Sequence, residues 1–261
     1  MTGTQPERGT GPMRLDVALA ERGLARSRSR AAELIASGRV SVDGEIATKA
    51  GARVAGASEL RIADGDVYVS RAAHKLLAGL DGFGVTVEGR LALDLGASTG
   101  GFTQVLLERD AREVIALDVG HGQLVRELRE DPRVRVVEGC NARELDRARL
   151  AEAAGTPEPP SLVVGDLSFI SLTLVLSAIA AIAAPRAELI LLIKPQFEVG
   201  RQGIRNGIVV DPELAQAAVD RVVACATGLG FVDGGVIPSP ITGEHGNHEF
   251  LAYFFREAST A

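Results

Sequence analysis

The stretch Leu91–Phe102 contains the residues whose types and spacing most clearly suggest a chemical role. A short apolar run that contains Asp94 precedes a turn of small residues, and an apolar helical pattern follows the turn. The turn consists of Gly96, Ala97, Ser98, Thr99, Gly100 and Gly101. Glycines let a backbone approach a ligand closely, and the start of a helix presents free N–H groups. The pattern predicts a strand, a tight turn and a helix, which suits a nucleotide site but also an ordinary strand-to-helix turn.

The spacing of this turn favours one kind of nucleotide ligand. The glycines follow G-x-x-x-G-G, whereas dinucleotide-binding turns follow G-x-G-x-x-G. An acid that closes the first strand just before the turn, as Asp94 does, is typical of S-adenosylmethionine sites. The turn therefore predicts S-adenosylmethionine as the cofactor, and it disfavours a dinucleotide oxidoreductase.

Other polar residues follow the apolar runs further along the chain. Asp118 ends the second predicted strand and can accept hydrogen bonds from both ribose hydroxyls of a nucleoside, while Asn141 follows the third strand and could border an adenine. Asp166 ends the fourth strand and Lys194 the fifth. A buried, unpaired charge costs several kcal/mol, so Asp166 and Lys194 are expected to form either a functional pair or a structural ion pair.

Strands and helices alternate through this part of the chain, which predicts an α/β fold with a mainly parallel sheet covered on both faces. The predicted strands are Leu91–Leu95, Glu113–Val119, Val134–Glu138, Ser161–Leu167, Glu188–Lys194, Phe231–Ile237 and Glu249–Phe255. The predicted helices are Ser70–Leu80, Gly101–Glu108, Gly122–Arg129, Thr173–Ala184 and Pro212–Leu229. The last two strands have no helix between them, so we expect an antiparallel pair at one edge. Ligands of such sheets bind at the carboxyl ends of the strands.

The amino-terminal segment has a different character. Residues 13–69 predict a small α+β unit with two helices, a hairpin around Asp43 and Gly44, and a further short strand. From Met13 to Lys75 there are 11 basic and 8 acidic residues, a net charge of +3 in a chain whose net charge is −6. The basic segment predicts a polyanionic partner, although a solvated charged surface would have the same composition.

Composition excludes several other classes of protein. The two cysteines, Cys140 and Cys225, argue against a disulfide scaffold or a thiol metal site and fit a reducing compartment. Residues 1–12 predict a disordered tail without the apolar core of a signal peptide. The run Leu167–Ala184 approaches the length of a membrane span, but it is rich in Ala, Ser and Thr and fits a core helix better. We expect a cytoplasmic protein with no bound metal and no membrane contact.

The amino-terminal pattern R-L-D…S-R-x-x-A-x-x-L-I-x-x-G-x-V-x-V-D-G resembles the S-four RNA-binding domain. The resemblance implies an RNA-docking unit with no chemistry of its own, over residues 13–69 including a short linker. Arginines and free helix N–H groups suit phosphate binding. The predicted RNA contacts are Arg14, Arg26, Arg28, Arg30, Arg39 and Arg71.

The segments around Asp94, Asp166 and Lys194 resemble the FtsJ-type ribose methyltransferases. With the amino-terminal unit, the chain resembles the TlyA (hemolysin A type) ribosomal RNA 2′-O-methyltransferases from about Met13 to Phe255. The resemblance implies a seven-stranded, Rossmann-like class I methyltransferase domain over residues 70–258. It also implies methylation of cytidine riboses in ribosomal RNA of the small subunit, and often of the large subunit. The expected partner is ribosomal RNA within ribosomal subunits, and the expected state is a monomer.

The resemblance also implies a catalytic tetrad of Lys75, Asp166, Lys194 and Glu249, where Glu244 is an alternative to Glu249. The residues expected to bind the cofactor are Asp94, Gly96, Ala97, Ser98, Thr99, Gly100, Gly101, Phe102, Asp118, Asn141 and Asp166.

Four questions stay open at this level. A lysine acts as a base near neutral pH only where its surroundings lower its pKa, so Lys194 is either a base or a cation that orients the ribose hydroxyl. The sequence does not say whether one or both ribosomal subunits are modified, or whether the cofactor pocket forms before RNA binds. The competing functions are a membrane-acting lytic protein and a non-catalytic RNA-binding protein on a methyltransferase fold.

Overall fold

The computed structural model describes residues 12–25, 27–36, 39–62, 68–200, 203–243 and 246–257. The chain divides into two compact units, Met1–Asp66 and Val67–Ala261. This division lies three residues before the boundary predicted after residue 69. The predicted tail lies outside the described residues except for Pro12, and so do Arg26 and Glu244.

In its described residues, the first unit contains two helices and two small antiparallel sheets. The helices are α1 (Leu15–Glu21) and α2 (Arg28–Ala36), and the strands are β1 (Met13–Arg14), β2 (Val40–Val42), β3 (Glu45–Ile46), β4 (Arg53–Val54) and β5 (Leu60–Ile62). Asp43 and Gly44 have φ values of 51° and 90°, the left-handed conformation that a two-residue hairpin turn requires. Ser27 caps α2, since the N–H of Arg30 donates to its Oγ at 3.2 Å. Apolar residues of both helices form the core of the unit.

The second unit is built on a seven-stranded sheet, as predicted. Its strands are β6 (Leu91–Leu95), β7 (Glu113–Leu117), β8 (Val134–Val137), β9 (Leu162–Gly165), β10 (Glu188–Ile193), β11 (Val232–Pro238) and β12 (Phe250–Phe255). The strand order is β11-β12-β10-β9-β6-β7-β8. Strands β6 to β10 pair in parallel, and β12 pairs antiparallel with both β10 and β11. The antiparallel pair predicted at the edge is therefore confirmed.

Helices cover both faces of this sheet, and a separate apolar core lies on each face. The helices are α3 (Ala72–Phe83), α4 (Gly101–Glu108), α5 (Arg126–Arg129), α6 (Arg147–Ala154), α7 (Leu176–Ile182), α8 (Pro195–Glu198) and α9 (Pro212–Gly228). In the described part of the chain, no helix is both long and apolar enough to cross a membrane.

Two of the predicted helices were wrong in extent. The helix predicted over Gly122–Arg129 begins only at Arg126, because Gly122 has a φ of 66° and the preceding residues form a loop. The helix predicted over Thr173–Ala184 is divided into a 3₁₀ turn, Leu172–Leu174, and α7. The 3₁₀ turn begins where Ser171 accepts a hydrogen bond from the N–H of Thr173.

The order of the strands determines where a ligand can bind. The chain forms β6, β7 and β8 in sequence toward one edge and then returns to place β9 on the other side of β6. Loops that leave the carboxyl ends of β6 and β9 therefore turn in opposite directions and leave a crevice between them. Asp94 lies at the carboxyl end of β6, and Asp166 directly follows β9.

Candidate active site

The last part of β6, just before the glycine turn, carries a carboxyl group that is removed from water. Asp94 is fully buried, and its Oδ2 accepts a hydrogen bond of 2.7 Å from Oγ1 of Thr103, which is also buried. Among the described residues, Asp94 Oδ1 has no hydrogen-bond partner. Burial raises the pKa of Asp94 to about 7, and the hydrogen bond from Thr103 opposes this rise only in part. Oδ1 of Asp94 is thus a buried acceptor, next to the turn, to which a donor group of a ligand could bond.

The glycine turn passes very close to the loop after β9. Gly96 has a φ of 81°, and a Cβ atom at this position would lie 3.0 Å from the main-chain oxygen of Asp166. A Cβ atom at Gly100, whose φ is 104°, would lie 2.3 Å from Cδ1 of Leu128. Backbone conformation favours glycine at both positions. At Gly96 a Cβ atom would also crowd main-chain atoms, whereas at Gly100 it would meet the ends of leucine side chains, which can move. Gly101 begins α4.

The other residues predicted to bind the cofactor line the same edge of the sheet. Asp118 follows β7, and its carboxylate accepts from the N–H of Ser98 at 2.9 Å and from the N–H of Gly120 at 2.7 Å. Asn141 follows β8 and caps a 3₁₀ turn, where its Oδ1 accepts from the N–H of Arg143. The side chain of Phe102 is buried in the core that α4 shares with the sheet.

The four residues predicted to act in catalysis form one continuous cluster. Nζ of Lys75 lies 2.7 Å from Oε2 of Glu249 and 3.4 Å from Oδ2 of Asp166. Nζ of Lys194 lies 2.6 Å from Oδ1 of the same Asp166. Lys75, Lys194 and Glu249 are buried, and Asp166 is nearly so. The cluster contains two lysines and two carboxylates, so each charge lies beside an opposite charge that offsets the cost of its burial. Removal of one member would leave a buried charge unpaired.

Four separate elements bring this cluster together. Lys75 lies in the first turn of α3, and Asp166 and Lys194 directly follow the neighbouring parallel strands β9 and β10. Glu249 immediately precedes β12, which runs antiparallel to β10, so its amino-terminal end meets the carboxyl end of β10. The sheet and α3 thus bring all four side chains to the carboxyl ends of the parallel strands, where the glycine turn also lies.

Lys194 also has a neutral partner. Its Nζ donates a hydrogen bond of 2.7 Å to Oγ of Ser168, in the loop that follows Asp166. Ser168 was not predicted as a site residue, although it stands two positions after Asp166. The bond fixes the direction of the Lys194 ammonium at the surface of the cluster.

A second unpredicted feature of the same loop is an exposed aromatic side chain. Phe169 is 87% exposed, and its φ is 63°, which is rare for a bulky residue. Its ring centroid lies 5.2 Å from that of Phe197, and Nζ of Lys194 lies 6.0 Å from the Phe197 ring. Strained, exposed residues of this kind concentrate at functional sites. The available sequence signal was a Ser-Phe pair that begins two positions after the strand-ending acid.

The arginines of the first unit fall into two groups. Arg14 and Arg28 keep half or more of their side-chain surface in solvent, and both pair with the buried carboxylate of Asp16. The pKa of Asp16 is lowered to about 2, and the largest cause is its hydrogen bonding with Arg14. Arg22 is instead occupied by main-chain oxygens, at 2.7 Å from that of Ser58 and 2.9 Å from that of Gly56.

The remaining predicted RNA contacts differ in exposure. Arg30 and Arg39 are half-buried in the first unit, and Arg71 is an exposed residue at the start of α3 in the second. Among the residues that the structure describes, no group of three His, Cys, Asp or Glu side chains is arranged to hold a metal ion.

A seven-stranded sheet with this strand order, a glycine turn after its first strand and an acid after its second defines a class I methyltransferase fold. The chain belongs to the FtsJ-like methyltransferase family, whose sequence profile matches residues 68–256. The profile of the S4 domain, named S-four above, matches residues 13–60.

Three relatives illustrate the range of the similarity. The 16S/23S rRNA (cytidine-2′-O)-methyltransferase TlyA of Mycobacterium tuberculosis is 46% identical over 95% of this chain and 91% of its own. The 23S rRNA (cytidine-2′-O)-methyltransferase TlyA of Campylobacter jejuni is 38% identical over 73% of this chain and 72% of its own. A solved structure of a Streptococcus thermophilus protein with a hemolysin name is 39% identical, with a TM-score of 0.74, over 95% of this chain and 90% of its own.

Proposed function

We propose that this protein transfers a methyl group from S-adenosylmethionine to the 2′-oxygen of a cytidine ribose in ribosomal RNA. The observation that carries the proposal is the buried cluster of Lys75, Asp166, Lys194 and Glu249 beside the glycine turn. Two relatives that are named for this reaction, from Mycobacterium tuberculosis and Campylobacter jejuni, support the choice of substrate. In this proposal residues 13–69 dock RNA and residues 70–258 carry the reaction.

The residues around the turn fit S-adenosylmethionine. Gly96 to Gly101 form a cradle in which a side chain at Gly96 would crowd the main chain of Asp166. Asp94 keeps one buried oxygen free of partners among the described residues. Asp118 and Asn141 line the adjoining strand ends and would hold the nucleoside. When bound, the cofactor supplies a methyl group that is already activated on a sulfonium.

The cluster would then serve the ribose hydroxyl. Lys194 directly follows β10, and its Nζ lies 2.6 Å from Oδ1 of Asp166 and 2.7 Å from Oγ of Ser168. A charged ammonium orients the 2′-oxygen and stabilises the negative charge that develops on it. The 2′-oxygen would take the methyl group from the sulfonium sulfur, which would become a neutral thioether, and the hydroxyl proton would pass to water. In this proposal Lys194 acts as an orienting cation rather than as a base.

Lys75 and Glu249 support this arrangement from behind. Nζ of Lys75 donates a hydrogen bond to Oε2 of Glu249. It also contacts Oδ2 of Asp166, whereas Lys194 contacts Oδ1 of the same carboxylate. Asp166 is thereby held between two cations. Alignment of the hydroxyl is the larger part of the rate enhancement in such a reaction, and a rigid set of ion pairs provides it.

Phe169 offers a surface for the base of the target nucleotide. RNA bases that are recognised individually are unstacked and packed against aromatic side chains. Phe169 is exposed, lies beside the ring of Phe197, and is carried by the same loop as Ser168, which contacts Lys194. A base stacked there would bring its own ribose toward the cluster.

We further propose that the first unit docks on ribosomal RNA, that the protein acts as a monomer, and that it acts in the cytoplasm, where ribosomal subunits are assembled. Exposed guanidinium groups such as those of Arg14 and Arg28 suit RNA phosphates. The two relatives above are named for different sets of subunits, so both subunits belong among the substrates to be tested.

The proposal is tested by incubating the full chain with each ribosomal subunit and methyl-labelled S-adenosylmethionine. We expect label in RNA, and cofactor binding by calorimetry with the protein alone. Cofactor binding without transfer to any RNA would favour a non-catalytic RNA-binding protein. The absence of both would contradict the methyltransferase proposal.

A further inference from the structure

A buried carboxylate outside the four-residue cluster connects the two loops that carry Asp166 and Lys194. Glu198 ends α8, the single helical turn that follows Lys194, and it is 7% exposed. Its Oε2 accepts from Oγ of Ser171 at 2.5 Å, and its Oε1 accepts from the N–H of Leu172 at 2.7 Å. Burial raises the pKa of Glu198, which these hydrogen bonds oppose. The carboxylate of Glu198 thus joins α8 to Leu172 and Ser171, which lie 26 and 27 residues earlier in the chain.

Glu198 is itself held in place from another direction. Nη1 of Arg221, on α9, donates a hydrogen bond of 2.6 Å to the main-chain oxygen of Glu198. The N–H of Val199 also bonds the oxygen of Pro195, which closes the turn of α8. The backbone that carries Glu198 is therefore held by contacts that do not involve the loop. Its carboxylate can thus act as an anchor that keeps the loop in place.

The loop that Glu198 binds is fixed at its other end by the sheet. The N–H of Asp166 donates to the oxygen of Leu95 at 3.1 Å, at the end of β6. Between Asp166 and Ser171 the loop carries Ser168, the partner of Lys194, and Phe169 with its φ of 63°. A strained conformation of this kind persists only where its surroundings hold it at both ends.

We infer that Glu198 is a positioning residue for methyl transfer: its carboxylate fixes the carboxyl-terminal end of the Asp166–Ser171 loop, so that Ser168 stays bonded to Lys194 and Phe169 keeps its exposed direction. The inference rests on the proposed function. Glu198 contacts no reacting atom in this account, and its effect passes through the loop. Because misplacement of about 1 Å can cost on the order of 100-fold in rate, loss of this anchor should be expressed in turnover.

The test uses four variants of the full chain. Glu198→Ala removes both bonds to the loop, and Glu198→Gln keeps the shape and one acceptor. Ser171→Ala removes one bond to Glu198 together with the bonds between Ser171 and Thr173. Glu113→Ala is the matched control, because Glu113 makes a similar pair of bonds, to Arg135 at 2.9 and 3.0 Å, on β7. The control accounts for any general loss of stability in the same sheet.

We expect Glu198→Ala to lower kcat by about 10- to 100-fold while the dissociation constant of S-adenosylmethionine stays within about twofold. Glu198→Gln should recover most of kcat, Ser171→Ala should lie between, and Glu113→Ala should match the parent. Ser171→Ala should lower kcat by a smaller factor in a Glu198→Ala background than in the parent, because the bond between Ser171 and Glu198 is already absent there. Unchanged kcat in Glu198→Ala, or equal loss of kcat and cofactor affinity, would overturn the inference. Should Glu198→Ala fail to fold, Ser171→Ala decides by the same criteria.

A second readout does not depend on activity. The chain has only three lysines, Lys49, Lys75 and Lys194, so selective isotope labelling of lysine side chains gives three NMR signals. In Glu198→Ala the side-chain signal of Lys194 should shift and broaden, and that of the exposed Lys49 should not. An unmoved Lys194 signal would overturn the anchor role even if kcat fell. Conversely, a parent protein that methylates no RNA would contradict the proposed function, while the Lys194 signal would still test the anchor.

Discussion

Lys75 and Glu249 form the most deeply buried part of the charged cluster, with 2.7 Å between Nζ and Oε2. Removing one member of a buried pair leaves the other charge unpaired, which typically costs about 3–5 kcal/mol. We therefore expect Lys75→Met to lower the free energy of unfolding by about that amount in urea titrations, and the double change with Glu249→Gln to recover part of the loss.

A matched control is available at the surface. Arg112 and Glu158 lie 2.6 Å apart, but each is about half exposed, so Arg112→Met should cost no more than about 1 kcal/mol. Equal costs for the buried and the exposed pair would contradict the description of the cluster as a desolvated set.

Asp94 predicts a specific dependence of stability on pH. Burial raises its pKa to about 7 in the folded protein from 3.8 in the unfolded chain, so folding favours the protonated form. The corresponding stability is fully present below pH 3.8, is lost as pH rises through 7, and then stays constant. Asp94→Asn cannot ionise at this position. The difference in unfolding free energy, parent minus Asp94→Asn, should therefore fall by about 1 kcal/mol between pH 6 and pH 8. A constant or rising difference would contradict a buried, neutral Asp94.

At the scale of elements, the close approach of two loops is testable through a pair of glycines. Gly96 and Gly84 both have positive φ values, 81° and 67°, but a Cβ atom meets the loop after β9 only at Gly96. Alanine in this conformation costs about 1–2 kcal/mol at either position. Gly96→Ala should additionally weaken cofactor binding by about tenfold, equivalent to about 1.4 kcal/mol, as measured by calorimetry. Unaltered affinity in Gly96→Ala, or an equal loss in Gly84→Ala, would show that the turn does not hold the cofactor.

The elements show which features a sequence can predict. Strands β6, β9 and β10 were predictable because a central parallel strand is buried on both faces and becomes a continuous apolar run. Polar residues that end such runs were predictable as site residues for the same reason. The anchor at Glu198 and the strained backbone at Phe169 were not, because both depend on contacts between loops that are distant in sequence and leave no local pattern.

At the scale of the whole molecule, the unequal charge of the two parts predicts how RNA binding responds to salt. Each arginine that contacts a phosphate contributes about one unit to the slope of log affinity against log salt. The double variant Arg14→Ala/Arg28→Ala should weaken binding to ribosomal RNA, reduce this slope by about 1–2, and leave cofactor affinity unchanged. Arg61→Ala, at an exposed pair with Glu59, is the control and should change neither quantity. A slope identical to that of the parent would exclude these arginines from the RNA interface.

In the proposed reaction this molecule methylates the 2′-oxygen of cytidine with the help of Lys194. The most direct test of this proposal is mass spectrometry of nucleosides from ribosomal RNA treated with S-adenosylmethionine and either the parent protein or Lys194→Ala. We predict 2′-O-methylcytidine with the parent, and at least about 100-fold less with Lys194→Ala at unchanged cofactor affinity, because a donor aimed at developing charge is lost. A methyl group on a base, or full activity without Lys194, would contradict the account.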